Sequence, residues 1–275
     1  MAGRVVVVFD FDKTILDCDS DNWVVDELGV NHLFTQLLPT LPWNSLMDRM
    51  MMELHSRGKT MEDIALCLKQ APFHPRIISA IKLAHSAGCD LKIVSDANVI
   101  FIETILKHHG LLDCFSEIIT NPSLVDNEGS LRILPYHDFK SCSHKCNICP
   151  PNMCKGVVME KIMMKSCEST KRFIYVGDGS ADFCGGLKLV EGDILMARNK
   201  FPVWDLICSN PLSIKAHIHA WNDGEELGIG LLNLINTIFI QDNCSCEGPP
   251  ADCKSQTTSL SHDSSFSNAL PIIPH

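Results

Sequence analysis

The chain has 275 residues, 45% of them hydrophobic and 20% charged, which suits one sizeable core plus a smaller inserted or appended unit. A formal net charge of −10 argues against nucleic acid or an anionic membrane surface as the main partner, since both reward basic faces. No secretory leader or membrane-length apolar run is seen, so the 14 cysteines are expected to be reduced thiols or metal ligands in a cytoplasmic protein.

Val5–Phe9 (VVVVF) is a β-branched run that predicts a fully buried strand, followed at once by the polar loop DFDKTILD. Residues 20–70 carry helical periodicity broken by Pro39 and Pro42, and Thr60 is placed to cap a helix with Ile64 and Leu68 on its apolar face. From residue 74 the pattern alternates. A helix over 75–87 leads to a strand over 90–94 and the loop SDAN, then a helix over 98–109 capped by Gly110 and a strand over 116–120. Residues 121–154 read as irregular. A helix over 155–167 precedes a strand at 172–176 and the loop GDGSAD, then a short helix, a strand at 193–197 and a basic turn. A helix over 224–240 precedes a Ser- and Cys-rich stretch, 241–275, that reads as a mobile tail without a catalytic role.

Alternation of this kind predicts an α/β fold with a doubly wound parallel sheet, whose ligands bind beyond the carboxyl ends of the strands. Asp10 and Asp12 follow one buried strand, and Asp178, flanked by Gly177 and Gly179, and Asp182 follow another. Carboxylates crowded at strand ends lose hydration and repel one another, and a divalent cation with oxygen preference resolves the conflict. Taken singly, a DxD pair serves a turn, Ser95 a helix cap and Lys155 a solvated surface.

Together, Asp10-Phe11-Asp12-Lys13-Thr14, Ser95, Lys155 and Gly177-Asp178-Gly179-Ser180-Ala181-Asp182 resemble, in order, the four signature motifs of the haloacid-dehalogenase-like (HAD) hydrolases. The segments DSDNWVVDELG (19–29), VSDAN (94–98), NMCKG (152–156) and YVGDGSADFC (175–184) resemble more narrowly the phosphoethanolamine/phosphocholine phosphatases, whose plant members include enzymes described as pyrophosphatases. The resemblance implies a Rossmann-like core over 1–16 and 76–240 with a small helical cap, 17–75, inserted after the first strand. It implies Asp10 as nucleophile, Asp12 as general acid and base, and Lys155 as the cation neutralising Asp10 and the transferring phosphoryl group. Mg²⁺ would be held by Asp10, Asp12 through its main-chain carbonyl, and Asp178, with Asp182 supporting it. Ser95 would bind a phosphate oxygen, and Asp21 and Asp96 would face a substrate amine. An aspartyl-phosphate intermediate follows from such a nucleophile.

The partner implied is a small phosphorylated metabolite or pyrophosphate. Two extra carboxylates favour an ammonium-bearing monoester, with Trp23 as a candidate cation–π contact. Lys13, Arg198 and Lys200 are the residues that would favour pyrophosphate. A non-catalytic metal- or protein-binding relative would require a damaged motif, and all four are intact. Cys142, His144, Cys146, Cys149 and Cys154 crowd within thirteen residues, with metal-ligand spacing at 146–149. Buried free thiols are the favoured reading, with zinc or a local disulfide as alternatives.

Overall fold

The computed structural model describes residues 5–140, 143–165 and 171–244. Its centre is a six-stranded parallel sheet built from β1 (Val5–Phe9), β2 (Asp90–Asn98), β3 (Phe115–Asn121), β6 (Arg172–Gly177), β7 (Ile194–Arg198) and β8 (His217–Trp221), in the order β3-β2-β1-β6-β7-β8. The chain winds outward from β1 to β3, returns to the other side of β1, and winds outward again. The order therefore reverses between β1 and β6, and a crevice opens there beyond the carboxyl ends.

The unbroken apolar run of β1 has a simple cause. Val5, Val7 and Phe9 face the helices α5 (Pro75–Ser86), α6 (Val99–His109) and α10 (Gly224–Cys244). Val6 and Val8 face α7 (Lys155–Lys165), α8 (Ser180–Gly186) and α9 (Pro202–Ser209). A strand covered on both sides has no reason to alternate apolar with polar residues.

Between β1 and α5 lie four helices: α1 (Ser20–Glu27), α2 (Asn31–Leu37), α3 (Trp43–Ser56) and α4 (Met61–Leu68). The Pro39 and Pro42 break falls between α2 and α3. Thr60 caps α4 in a reciprocal box with Asp63, and Ile64 and Leu68 are buried as their spacing predicts.

The structure corrects the sequence reading in four places. The strand expected to stop at residue 94 continues as β2 to Asn98. It bulges between Val94 and Asn98 and is held there by Asn121, whose Nδ2 donates to the carbonyls of Asp96 (2.6 Å) and Ala97 (2.9 Å). The stretch 121–154 is not wholly irregular, since β4 (Ser123–Val125) and β5 (Leu131–Ile133) form an antiparallel hairpin. Asp48 of α3 pins it, accepting from Arg132 at 2.9 and 2.7 Å and from the Ile133 N–H at 2.9 Å. The core continues beyond Arg198 with α9 and β8. The last helix runs to Cys244 rather than 240, and the rest of the expected tail lies outside the described residues. No helix among the described residues is long and apolar enough to cross a membrane.

Candidate active site

The crevice at the switch point opens into a cavity of about 610 Å³. Asp10, Lys155, Asp178 and Asp182 line its floor; Asp12 and Lys13 lie at its side; Asp19, Asp21, Asn22 and Trp43 face it from the helical segment, with Asp96, Ile148 and Pro150 nearby.

Asp10 leaves the sheet as its main-chain N–H donates to the Val176 carbonyl (2.8 Å), which fixes the β1 loop against the strand that delivers Asp178. Its Oδ1 accepts from the Phe11 N–H (2.7 Å) and pairs with Lys155 Nζ at 2.7 Å. Lys155 opens α7 and is only 2% exposed, so its charge must be met inside the protein. Its second partner is Asp182 Oδ1 at 2.8 Å. Burial opposes the ammonium, but Asp10 and Asp182 outweigh it and hold Lys155 above the ordinary lysine pKa.

Asp182 is saturated. Its Oδ1 also accepts from the Tyr175 hydroxyl (2.8 Å), and Oδ2 accepts from the N–H groups of Asp178 (3.0 Å) and Gly179 (2.7 Å). The close curl behind the β6 turn needs a bare α-carbon at 177, because a Cβ there would lie 2.3 Å from the Asp182 carboxyl carbon.

Asp178 is less engaged, with the Thr14 hydroxyl donating to Oδ1 at 3.3 Å. Burial first, then repulsion from Asp182, push its pKa up to about 7. Burial and Asp182 also raise Asp10, against the pull of Lys155. Asp10, Asp178 and Asp182 bring carboxylate oxygens within 4.8 Å of one another. With Asp182 committed to four donors, Asp10 and Asp178 are the pair with oxygen left to offer. Their crowding and raised pKa values are what a bound divalent cation would relieve, so these residues fit one.

The Asp12 side chain turns toward the helical segment, where Oδ1 accepts from the Ser20 N–H (2.9 Å). Burial, then Asp19 and Asp21, hold Asp12 well above the ordinary carboxylate pKa. Asp21 is buried, with Oδ2 accepting from the Trp43 indole at 2.7 Å, while Oδ1 has no hydrogen-bond partner among the described residues. Burial and Asp19 push Asp21 upward as well, and burial does the same to Asp96.

The expected residues do not all gather here. Asp10, Asp12, Asp21, Asp96, Lys155, Asp178 and Asp182 do. Ser95 is fully buried behind the wall, its Oγ accepting from the Ala97 N–H at 3.2 Å. Trp23 is not the aromatic of the cavity: its indole donates to the Cys67 carbonyl (3.0 Å), tying α1 to α4, and Trp43 takes the place expected of it. Arg198 turns away, donating to the Lys13 carbonyl (2.5 Å) and to Asp17 (2.8 Å) beneath Phe201 and Trp221, and Lys200 is exposed outside the cavity. Only Lys13 of the basic trio lines the cavity, and Asp19 holds it at 3.1 Å. Sequence reasoning missed Tyr175, Thr14, Asp19 and Trp43. Tyr175 carried a usable signal, since strand alternation puts it on the same face as residue 177.

Acidic loops at the switch of a doubly wound sheet, joined through one buried lysine, define a phosphatase of the haloacid-dehalogenase-like fold, a phosphoric monoester hydrolase. A solved substrate-bound phosphoserine phosphatase shares this fold with a TM-score of 0.52 and 16% identity, covering 79% of this chain and 93% of its own. Residues 5–235 match the model of the family described as Putative Phosphatase, and the chain belongs to that family. Inorganic pyrophosphatase 2 of Arabidopsis thaliana is 56% identical over 239 residues, 86% of each chain. A thiamine phosphate phosphatase-like protein of the same plant is 55% identical over 243 residues, covering 88% of this chain and 99% of its own. Two relatives so nearly equidistant carry different substrate names, so overall identity does not choose the substrate.

Proposed function

We propose that this phosphatase depends on Mg²⁺, forms an aspartyl-phosphate on Asp10, and acts on small ammonium-bearing monoesters such as phosphoethanolamine and phosphocholine. The observation that carries the reading is the buried Lys155 bridging Asp10 and Asp182 with Asp178 alongside. Asp10, Asp178 and the Asp12 main-chain carbonyl would hold the ion, which when bound screens the Asp10 carboxylate from an anionic phosphate.

Asp10 attacks phosphorus and the bond to the leaving oxygen breaks, with Asp12 giving its proton to that oxygen. Burial and the neighbouring Asp19 and Asp21 raise the pKa of Asp12 and so favour the protonated form this step uses. Asp12, now a carboxylate, then takes a proton from water as the water attacks the acyl phosphate, releasing inorganic phosphate and restoring Asp10. Lys155 stays charged throughout and offsets the negative charge that gathers on the transferring group. Asp182 is a positioning residue that holds Lys155 and the Asp178 loop.

The helical segment 17–75 acts as the cap that selects the leaving group. It meets the cavity with Asp19, Asp21 and Trp43, and Asp96 adds a further acid from β2. Aspartates outnumber lysines around the cavity, which suits a cationic leaving group better than a wholly anionic one. Pyrophosphate is the second reading, favoured by the name of the Arabidopsis relative and by Lys13 at the cavity wall. A cytoplasmic setting belongs to the same proposal.

A kinetic panel with Mg²⁺ tests both readings. Phosphocholine or phosphoethanolamine should show the highest kcat/KM; a preference for pyrophosphate transfers the assignment to the second reading. Asp10→Asn should lose about a thousandfold or more in kcat with its Tm retained. Undiminished turnover in that variant rules out the nucleophile.

A further inference from the structure

Beside the cavity, three sulfurs from one loop meet a fourth from α8. Cys146, Cys149, Cys154 and Cys184 bring their Sγ atoms within 4.8 Å of one another. Three are buried and Cys146 is half-buried. The cluster joins the loop before α7 to the body of α8, across a gap of 30 residues between Cys154 and Cys184.

The distances decide between bonding modes. Cys146 and Cys184 lie 3.7 Å apart, and Cys154 and Cys184 lie 3.9 Å apart. A disulfide requires about 2.05 Å. Four thiolates around a tetrahedral zinc, each about 2.3 Å from the ion, have sulfurs about 3.8 Å from one another. The backbone is arranged for thiolates too. The N–H groups of Ile148 and Cys149 both donate to Cys146 Sγ at 3.4 Å. Gly156 leaves room for the approach, since a Cβ at that position would lie 2.7 Å from Cys184 Sγ.

We infer that Cys146, Cys149, Cys154 and Cys184 form a structural zinc site of the closed Cys₄ type. Soft thiolates in a tetrahedral set select zinc over the hard cation suited to Asp10 and Asp178. His144 is not one of its ligands: Nε2 contacts the Pro150 carbonyl (2.9 Å) and Nδ1 accepts from the Cys146 N–H (3.1 Å). Cys142 lies outside the described residues.

The site lies where it can set the geometry of the cavity. Cys154 immediately precedes Lys155, and Cys184 stands two residues after Asp182. Ile148 and Pro150, in the loop the cluster folds, line the cavity. One ion would clamp the lysine, its aspartate partner and one wall, as outer contacts do for the groups they orient.

The test is metal content of the full chain, purified under reducing conditions without added zinc and measured by elemental analysis. About one zinc per chain is expected, falling below about one tenth in Cys146→Ser and unchanged in Cys208→Ser, an exposed cysteine outside the cluster. Growth on cobalt gives an independent readout: thiolate-to-cobalt charge-transfer and tetrahedral d–d bands should appear in the wild type and vanish in Cys146→Ser. Should Cys146→Ser fail to fold, the wild-type cobalt spectrum stands as the test. Zinc that survives Cys146→Ser in a folded protein overturns the proposal. So does a wild-type chain with neither zinc nor cobalt–thiolate bands, or a disulfide within the cluster. None of these outcomes depends on which phosphate compound is hydrolysed.

Discussion

The floor of the cavity and the helical segment facing it are built on opposite terms. On the floor, Asp182 satisfies both its oxygens with four donors, and Lys155 is held by two carboxylates. On the facing side, Asp21 keeps one orphaned oxygen, the Ser20 hydroxyl is unpartnered among the described residues, and Asp12, Asp19 and Asp21 crowd together. A saturated network resists rearrangement, whereas one left short of positive charge invites it from outside. In the proposed reading, the floor holds Asp10 and Lys155 in place, while the facing segment leaves an Asp21 oxygen open to a ligand.

The largest effect should come from breaking the floor. Lys155→Met leaves Asp10 and Asp182 without their cation, which costs on the order of 3–5 kcal/mol of stability and about 10²–10³ in kcat. Denaturant unfolding and steady-state kinetics read the two losses separately, and a variant as stable and active as the wild type would show that the bridge is idle.

Asp178 sharpens the comparison through pH. Its pKa rises from 3.8 unfolded to about 7 folded, so the folded state binds the extra proton. Its contribution to stability is therefore full below about pH 4 and is lost as pH climbs toward 7. The difference in Tm between wild type and Asp178→Asn should follow that window without divalent ions. Added Mg²⁺ above pH 7 should raise the wild-type Tm and leave Asp178→Asn nearly unmoved; equal shifts in both would place the ion elsewhere.

On the facing side the effects are smaller. Asp21→Asn should raise KM for phosphocholine about tenfold with little change in kcat, and should leave pyrophosphate unharmed or improved. Because burial and Asp19 favour the neutral acid, the wild-type KM for the ammonium substrate should fall as pH rises; a flat profile would remove Asp21 from recognition. Thr60→Ala deletes the α4 cap and should cost about 1 kcal/mol in unfolding with kinetics unaltered.

What could be read beforehand follows the same physics. β1 and β6 were legible because strands buried on both faces are continuous apolar runs, and their acidic successors marked the switch point. β8 was not, because HIHAW is an edge strand with polar residues among its apolar ones. The β4–β5 hairpin was too short for periodicity to register. Among site residues, the aspartates announced themselves by the cost of crowding carboxylates. Trp23 and Trp43 both sit in helical patterns, and only packing shows which one faces the cavity. Cys184 joined the other cysteines only once the crossover from α7 through β6 to α8 had been folded.

The absent side chain at 177 has a hereditary consequence. The space a methyl group would need is already filled by the Asp182 carboxyl. A lineage that retains this acid cannot trade the neighbouring glycine for alanine, and one that loses the acid frees the glycine to drift. The constraint runs one way, and descendants that keep the acid should be found to have kept the glycine.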